Sequence, residues 1–147
     1  MLQYLKKLAG ISDTPHKIAT GFAIGVFLGI LPFAGPVLAL FVAGLLKVNR
    51  VSAFLGALVT NTWITIAAFL LSVKIGSFLF GVNQEAVRSY WAALFKNFNF
   101  SDLFKLSFFN VVLPVVTGYL VIALSVAIFS YVVVLVIVGL VKNKRTH

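Results

Sequence analysis

Gly35-Pro36 and Asn61-Thr62 each stand inside a long uncharged stretch, and each has the residue types that close one helix and open another. Proline at the first helical position gives up an N–H that would be unpaired anyway. Asn and Thr oxygens accept hydrogen bonds from the first turn of a helix that follows them. Helix starts carry partial positive charge and free N–H groups, so two of them converging at one depth would make an anion site. Lys17, Lys47, Arg50 and Lys74 flank these segments and would add formal charge. The chemistry this implies is the holding of a phosphate or similar anion.

Bond-making chemistry has little to work with. Asp13, Glu85 and Asp102 are the acids, His16 and His147 the histidines, and cysteine is absent. Disulfides, thiolate nucleophiles and cysteine-bound metals are therefore excluded. An enzyme would need Asp13, His16 or Glu85 to act unaided, so the sequence predicts a protein that is not an enzyme and takes no cofactor or metal. The net charge is +9. No basic stripe is interleaved with aromatics as single-stranded nucleic acid would require, so the expected partners are anionic lipid headgroups and not nucleic acid.

The elements that would position these residues are apolar. Of 147 residues, 61% are hydrophobic, well above the roughly 45–50% of soluble domains. Uncharged runs occupy 18–46, 51–73 and 111–141. The first is broken by Leu31-Pro32-Phe33-Ala34-Gly35-Pro36, because proline lacks an N–H and biases the preceding residue away from helix. Its halves would rise only about 21 Å and 15 Å, against a bilayer core of about 30 Å. Non-helical backbone at that depth needs protein or a water-filled cavity around it. The expected fold is an all-α integral membrane protein with broken or re-entrant helices, interfacial amphipathic helices and a C-terminal transmembrane helix. It forms one membrane domain over 1–147, with an interfacial segment at 1–17, apolar runs at 18–46 and 51–80, interfacial helices at 83–110 and a span at 111–141. A cleavable signal peptide is not expected, since the first apolar run is too long for one.

Within that frame, 1–10 reads as an amphipathic surface helix, and Ser12-Asp13-Thr14-Pro15 as a helix start. Gly21, Gly25 and Gly29 make one smooth helix face, a seam for close packing within the chain or between copies of it. Lys47-Val48-Asn49-Arg50 is a basic turn. Asn61 either caps a new helix at Trp63 or bonds across from an unbroken one. Lys74 either snorkels to the interface or faces a cavity as an anion partner. Val87, Tyr90, Trp91, Leu94, Phe95 and Phe98 fall at helical spacing opposite Gln84, Glu85, Arg88 and Lys96. Phe100-Ser101-Asp102 should then restart a second short helix with Leu103, Phe104, Leu106 and Phe108. Pro114 and Gly118 would kink the last run.

The segments between apolar runs are all net positive, which conflicts with three full crossings under the positive-inside rule. A re-entrant first run keeps 1–17 and 47–50 on one face. Two arrangements then satisfy the charges: a re-entrant second run with the tail outside, or a spanning one with the tail returning inside.

Pro15-His16-Lys17-Ile18-Ala19-Thr20-Gly21-Phe22-Ala23-Ile24-Gly25-Val26-Phe27-Leu28-Gly29-Ile30-Leu31-Pro32 resembles the opening of the bacterial family of unknown function two-thousand-sixty-two. Lys47-Val48-Asn49-Arg50 and Asn61-Thr62-Trp63 fall where that family carries a basic Asn-Arg turn and a polar break, although Thr62 stands in place of its usual proline. The resemblance implies a small helical protein of the bacterial inner membrane, favours a break at Asn61, and brings no activity with it. The expected function is binding or translocation of a phosphorylated lipid or other anion. The alternative is a non-catalytic assembly subunit, docking or self-associating through the Gly21/Gly25/Gly29 face.

Overall fold

The structure is a computed structural model and describes residues 13–31, 35–60 and 62–144. The surface helix expected over 1–10, together with Pro32, Asn61 and His147, lies outside the described residues. Every regular element among the described residues is helical: α1 (Pro15–Ile30), α2 (Gly35–Leu45), α3 (Arg50–Val59), α4 (Thr62–Phe80), α5 (Gln84–Lys96), a 3-10 helix (Phe100–Phe104) and α6 (Leu106–Asn143). The chain divides into two compact units, one made of Met1–Thr65 with Ala123–His147, the other of Ile66–Ile122.

In the first unit, Thr14 caps α1 by accepting from the Lys17 N–H at 3.3 Å, with Pro15 in the first turn. The helix stops at Leu31, just before the proline-containing segment, and α2 begins at Gly35 with φ +72°. Only glycine adopts that backbone without penalty. α2 closes by a different device. Lys47 takes φ +55°, its N–H bonds the Gly44 carbonyl, and the Val48 N–H reaches the Ala43 carbonyl at 3.0 Å. This pairing is a Schellman motif, and Val48 packs on the Ala39/Ala43/Ala53/Ala57 cluster beneath it. Asn49 then caps α3, accepting from the Ser52 N–H at 2.7 Å. The second apolar run is interrupted: α3 ends at Val59 and α4 starts at Thr62, one residue ahead of Trp63.

In the second unit, Gly81 at φ +65° lets the Val82 N–H bond the Ser77 carbonyl as α4 ends. Asn83 caps α5 through a 2.9 Å bond from the Glu85 N–H, with Glu85 in the first turn and Lys96 in the last, as the helix dipole favours. Val87 and Leu94 form the buried stripe of α5, Tyr90 and Trp91 are half-buried, and Phe95 and Phe98 are exposed. The second short helix expected over 100–108 does not form. Residues 100–104 make a 3-10 helix that ends at an extended Lys105, and α6 starts at Leu106, five residues before the expected 111. Leu106-Ser107-Phe108-Phe109-Asn110 contains neither proline nor glycine, so nothing stops the long helix from extending back through it. Pro114 lies within α6, fully buried, and its carbonyl blocks the space where a Gly76 side chain would be. Gly118 meets the Ser72 carbonyl in the same way, so α4 and α6 touch backbone to backbone here. Lys105 bonds Asp102, and this hydrogen bond holds the Lys105 amine above its ordinary pKa.

Trp63–Phe80 and Leu106–Asn143 are each long and apolar enough to cross a membrane, and their most apolar windows are only 28% and 11% buried within the protein. α1, α2 and α3 are shorter apolar helices.

Candidate functional site

The first unit is organised by the contact between α1 and α3. A Cβ at Gly21 would run into the Asn49 carbonyl, one at Gly25 into Ala53, and one at Gly29 into Thr60 and Ala57. Gly56 of α3 returns the contact against the Phe22 carbonyl. Each four-residue step on α1 is matched by a step along α3, so the two helices run parallel and in register. α2 returns between them in sequence. The glycine face is therefore filled inside the chain.

This register defines two ends. At the near end lie the start of α1, the 46–49 turn and the start of α3. Asn49, 4% exposed, ties them together: its N–H bonds the Lys17 carbonyl at 3.3 Å and its Nδ2 donates to Asp13 Oδ2 at 3.0 Å. Ser52 Oγ adds a 2.7 Å bond to the Ile18 carbonyl. From α6, Lys142 Nζ donates to the Asp13 carbonyl, which brings the last turn of that helix to the same end. Arg50 folds over the last turn of α2, its guanidinium 3.1 Å from where a Gly44 Cβ would be. A side chain on Gly44 would displace it.

The candidate anion residues are thus divided between the ends. Lys17, Lys47 and Arg50 gather at the near end and are exposed. Gly35, Pro36 and Thr62 mark helix starts at the far end, about 20 Å away along α1. Two helix N-termini meet two C-termini there, those of α1 and α3, so the partial charges largely offset. The near end has the same balance of helix ends, the N-termini of α1 and α3 against the C-termini of α2 and α6, but adds the formal charges of Lys17, Lys47, Arg50 and Lys142. Lys74 belongs to the second unit, where it is exposed on α4.

Sequence reasoning overlooked a groove in the first unit. Thr20, Ala23, Ile24 and Phe27 of α1 face Leu124, Ala127, Ile128 and Tyr131 of α6 across a space of about 460 Å³. Both sets follow the i, i+3, i+4, i+7 spacing of one helix face. His16, one turn above Thr20, closes the upper end through a 2.8 Å bond between its Nδ1 and the Tyr131 hydroxyl. The spacing on each helix was visible in the sequence, but so are several other apolar stripes on α6, and nothing selects which of them meets α1. In the second unit, Trp91 sits edge-on to Phe69, and Trp91 Nε1 and Ser77 Oγ are buried without a hydrogen-bond partner among the described residues. No cluster of three or more His, Cys, Asp or Glu that could hold a metal occurs among the described residues.

No curated protein and no solved structure matches this chain. The sequence profile of one family does, across residues 1–147: a family described as uncharacterized protein conserved in bacteria, DUF2062. The register of the glycine seam, the basic turn and the two helix breaks are thus the geometry of a chain that belongs to this bacterial family.

Proposed function

We propose that this chain is a multi-pass protein of the bacterial inner membrane that binds a phosphorylated, anionic lipid at the near end of the α1–α2–α3 unit. The observation that carries the reading is the gathering of Lys17, Lys47, Arg50 and Lys142 at one end of the unit, with Asp13 as the acid beside them and its Oδ2 already accepting from Asn49. Basic residues at a membrane surface are attracted to anionic headgroups by about 1 kcal/mol each. Lys47 adds a second argument. It occupies a left-handed conformation where glycine is the usual choice, as at Gly81, and this costs about 1–2 kcal/mol. A positive charge placed there at such a cost favours a use for the charge.

Membrane insertion is supported by the outward apolar surface. Val37, Trp63, Phe78 and Phe104 are 78–87% exposed, each far from the ordinary burial of such residues. In this reading α1 enters the bilayer, α2 returns to the same face as a re-entrant hairpin, and α5 lies in the headgroup plane. The far-end helix starts at Gly35 and Thr62 sit where a translocated headgroup would pass. An assembly subunit docking through Gly21, Gly25 and Gly29 has less support, because α3 already fills that face.

Thermal unfolding in detergent tests the binding. Phosphatidylglycerol should raise the midpoint of the unmutated protein more than phosphatidylcholine does. The combined Lys17→Gln, Lys47→Gln and Arg50→Gln variant should lose that difference. Equal shifts from both lipids in the unmutated protein would remove the reading.

A further inference from the structure

The groove between α1 and α6 has the shape and polarity of a seat for one lipid chain. Its volume of about 460 Å³ falls within the 300–1,000 Å³ of typical ligand sites. Its walls are apolar apart from Thr20 and the Tyr131 hydroxyl. It is open along its side, as a site entered from within a bilayer must be. The polar groups collect at one end only. His16 and Tyr131 are joined there at 2.8 Å, and His16 Nε2 makes no hydrogen bond among the described residues. Lys17 is the next residue along α1, and Lys142 bonds the Asp13 carbonyl just ahead of that helix.

We propose that this groove seats one acyl chain of an anionic phospholipid, with its phosphate at the mouth formed by His16, Lys17 and the start of α1. This rests on the reading of the chain as an anionic-lipid-binding membrane protein, and it specifies where and by which part the lipid is held. Charge and shape select this occupant over others. A free fatty acid would leave most of the near-end charge unused, and a zwitterionic phospholipid would not complement it. A phospholipid presents an extended apolar chain to Ile24, Phe27, Ala127 and Ile128, and a phosphate one or two turns above them. An imidazole held by Tyr131 through Nδ1 keeps Nε2 for that phosphate. Tyr131 is a positioning residue in this arrangement.

Photo-crosslinking on the unmutated protein is the direct test. Phosphatidylglycerol with a diazirine midway along one acyl chain should label the peptides containing residues 20–27 and 124–131, and phosphatidylcholine with the same chain should label them at least about fivefold less. Ala127→Phe fills the groove without touching the basic residues and should reduce the phosphatidylglycerol labelling about tenfold. Adducts confined to other helices, or equal labelling by both lipids, would overturn the assignment. The two readings fail differently. Loss of the phosphatidylglycerol-specific thermal shift in the unmutated protein removes anionic-lipid binding altogether. A retained shift with adducts outside the groove removes only the seat.

Discussion

Gly25 lies against the backbone of Ala53, so close that a Cβ on Gly25 would fall 2.8 Å from the Ala57 nitrogen and nearer still to the Ala53 carbonyl oxygen. That contact sets the register of α1 on α3, and the register decides which polar groups share an end of the unit. The obstruction is helix backbone, which cannot rotate away as a side chain can. Gly25→Ala should therefore destabilise the folded protein by about 1–3 kcal/mol, and Gly25→Leu by more. The fraction of folded protein after heating in detergent checks this. An unchanged profile for Gly25→Leu would mean that α3 does not pack on this face.

Asn49 joins the start of α3 to the start of α1, and its side chain caps α3 while holding Asp13. Removing it leaves the Ser52 N–H without its acceptor in a buried setting. Asn49→Ala should cost about 1–2 kcal/mol, the upper range for a lost cap. Asn49→Asp keeps the cap but places a carboxylate beside Asp13, so it should recover only part of that loss. Denaturation midpoints of the two variants give the order, and a fully stable Asn49→Asp would show that the contact with Asp13 is not made.

Lys47 separates stability from binding. Lys47→Gly relieves the left-handed backbone strain of about 1–2 kcal/mol, partly offset by glycine's greater freedom in the unfolded chain. The variant should be more stable by about 0.5–1 kcal/mol in detergent and yet show a smaller phosphatidylglycerol-dependent shift. A loss of stability would mean that the Schellman turn is not formed as described.

The first helix break could be read in the sequence because proline and glycine act locally on the backbone, whereas Asn61-Thr62 left a break and an unbroken helix equally open and only the family resemblance favoured the break. The basic turn was legible for the same local reason as the first break, although the left-handed Lys47 was not, since a lysine there gives no local signal. The 3-10 helix was missed because Phe100-Ser101-Asp102 resembles an ordinary helix start, and the extended Lys105 that ends it depends on a contact with Asp102 rather than on residue type. The glycine seam was visible as a seam but not as a pair. A row of glycines says that something comes close, while the partner is fixed by Asn49, Ala53 and Ala57, which carry no mark of it. The division of the candidate anion residues between two ends follows from that pairing, and so was hidden with it. The groove on α6 was hidden for the opposite reason, an excess of apolar stripes on one long helix.

Gly76 and Gly118 make the second unit's counterpart of the seam. Gly118→Leu should destabilise that unit by about 1–3 kcal/mol through overpacking against Ser72. Hydrogen exchange should show faster opening of α4 near Ser72 in the variant, and unchanged exchange there would place Gly118 toward lipid.

In the proposed arrangement the near end of the first unit faces one side of a membrane, and α1 and α2 form a hairpin that enters and leaves by that side. The chain has no native cysteine, so Lys17→Cys, Lys47→Cys and Lys144→Cys can each be labelled singly with a membrane-impermeant maleimide in sealed vesicles of both orientations. All three positions should react from the same side, the cytoplasmic one. Reaction of Lys47→Cys from the side opposite to Lys17→Cys would rule out the hairpin.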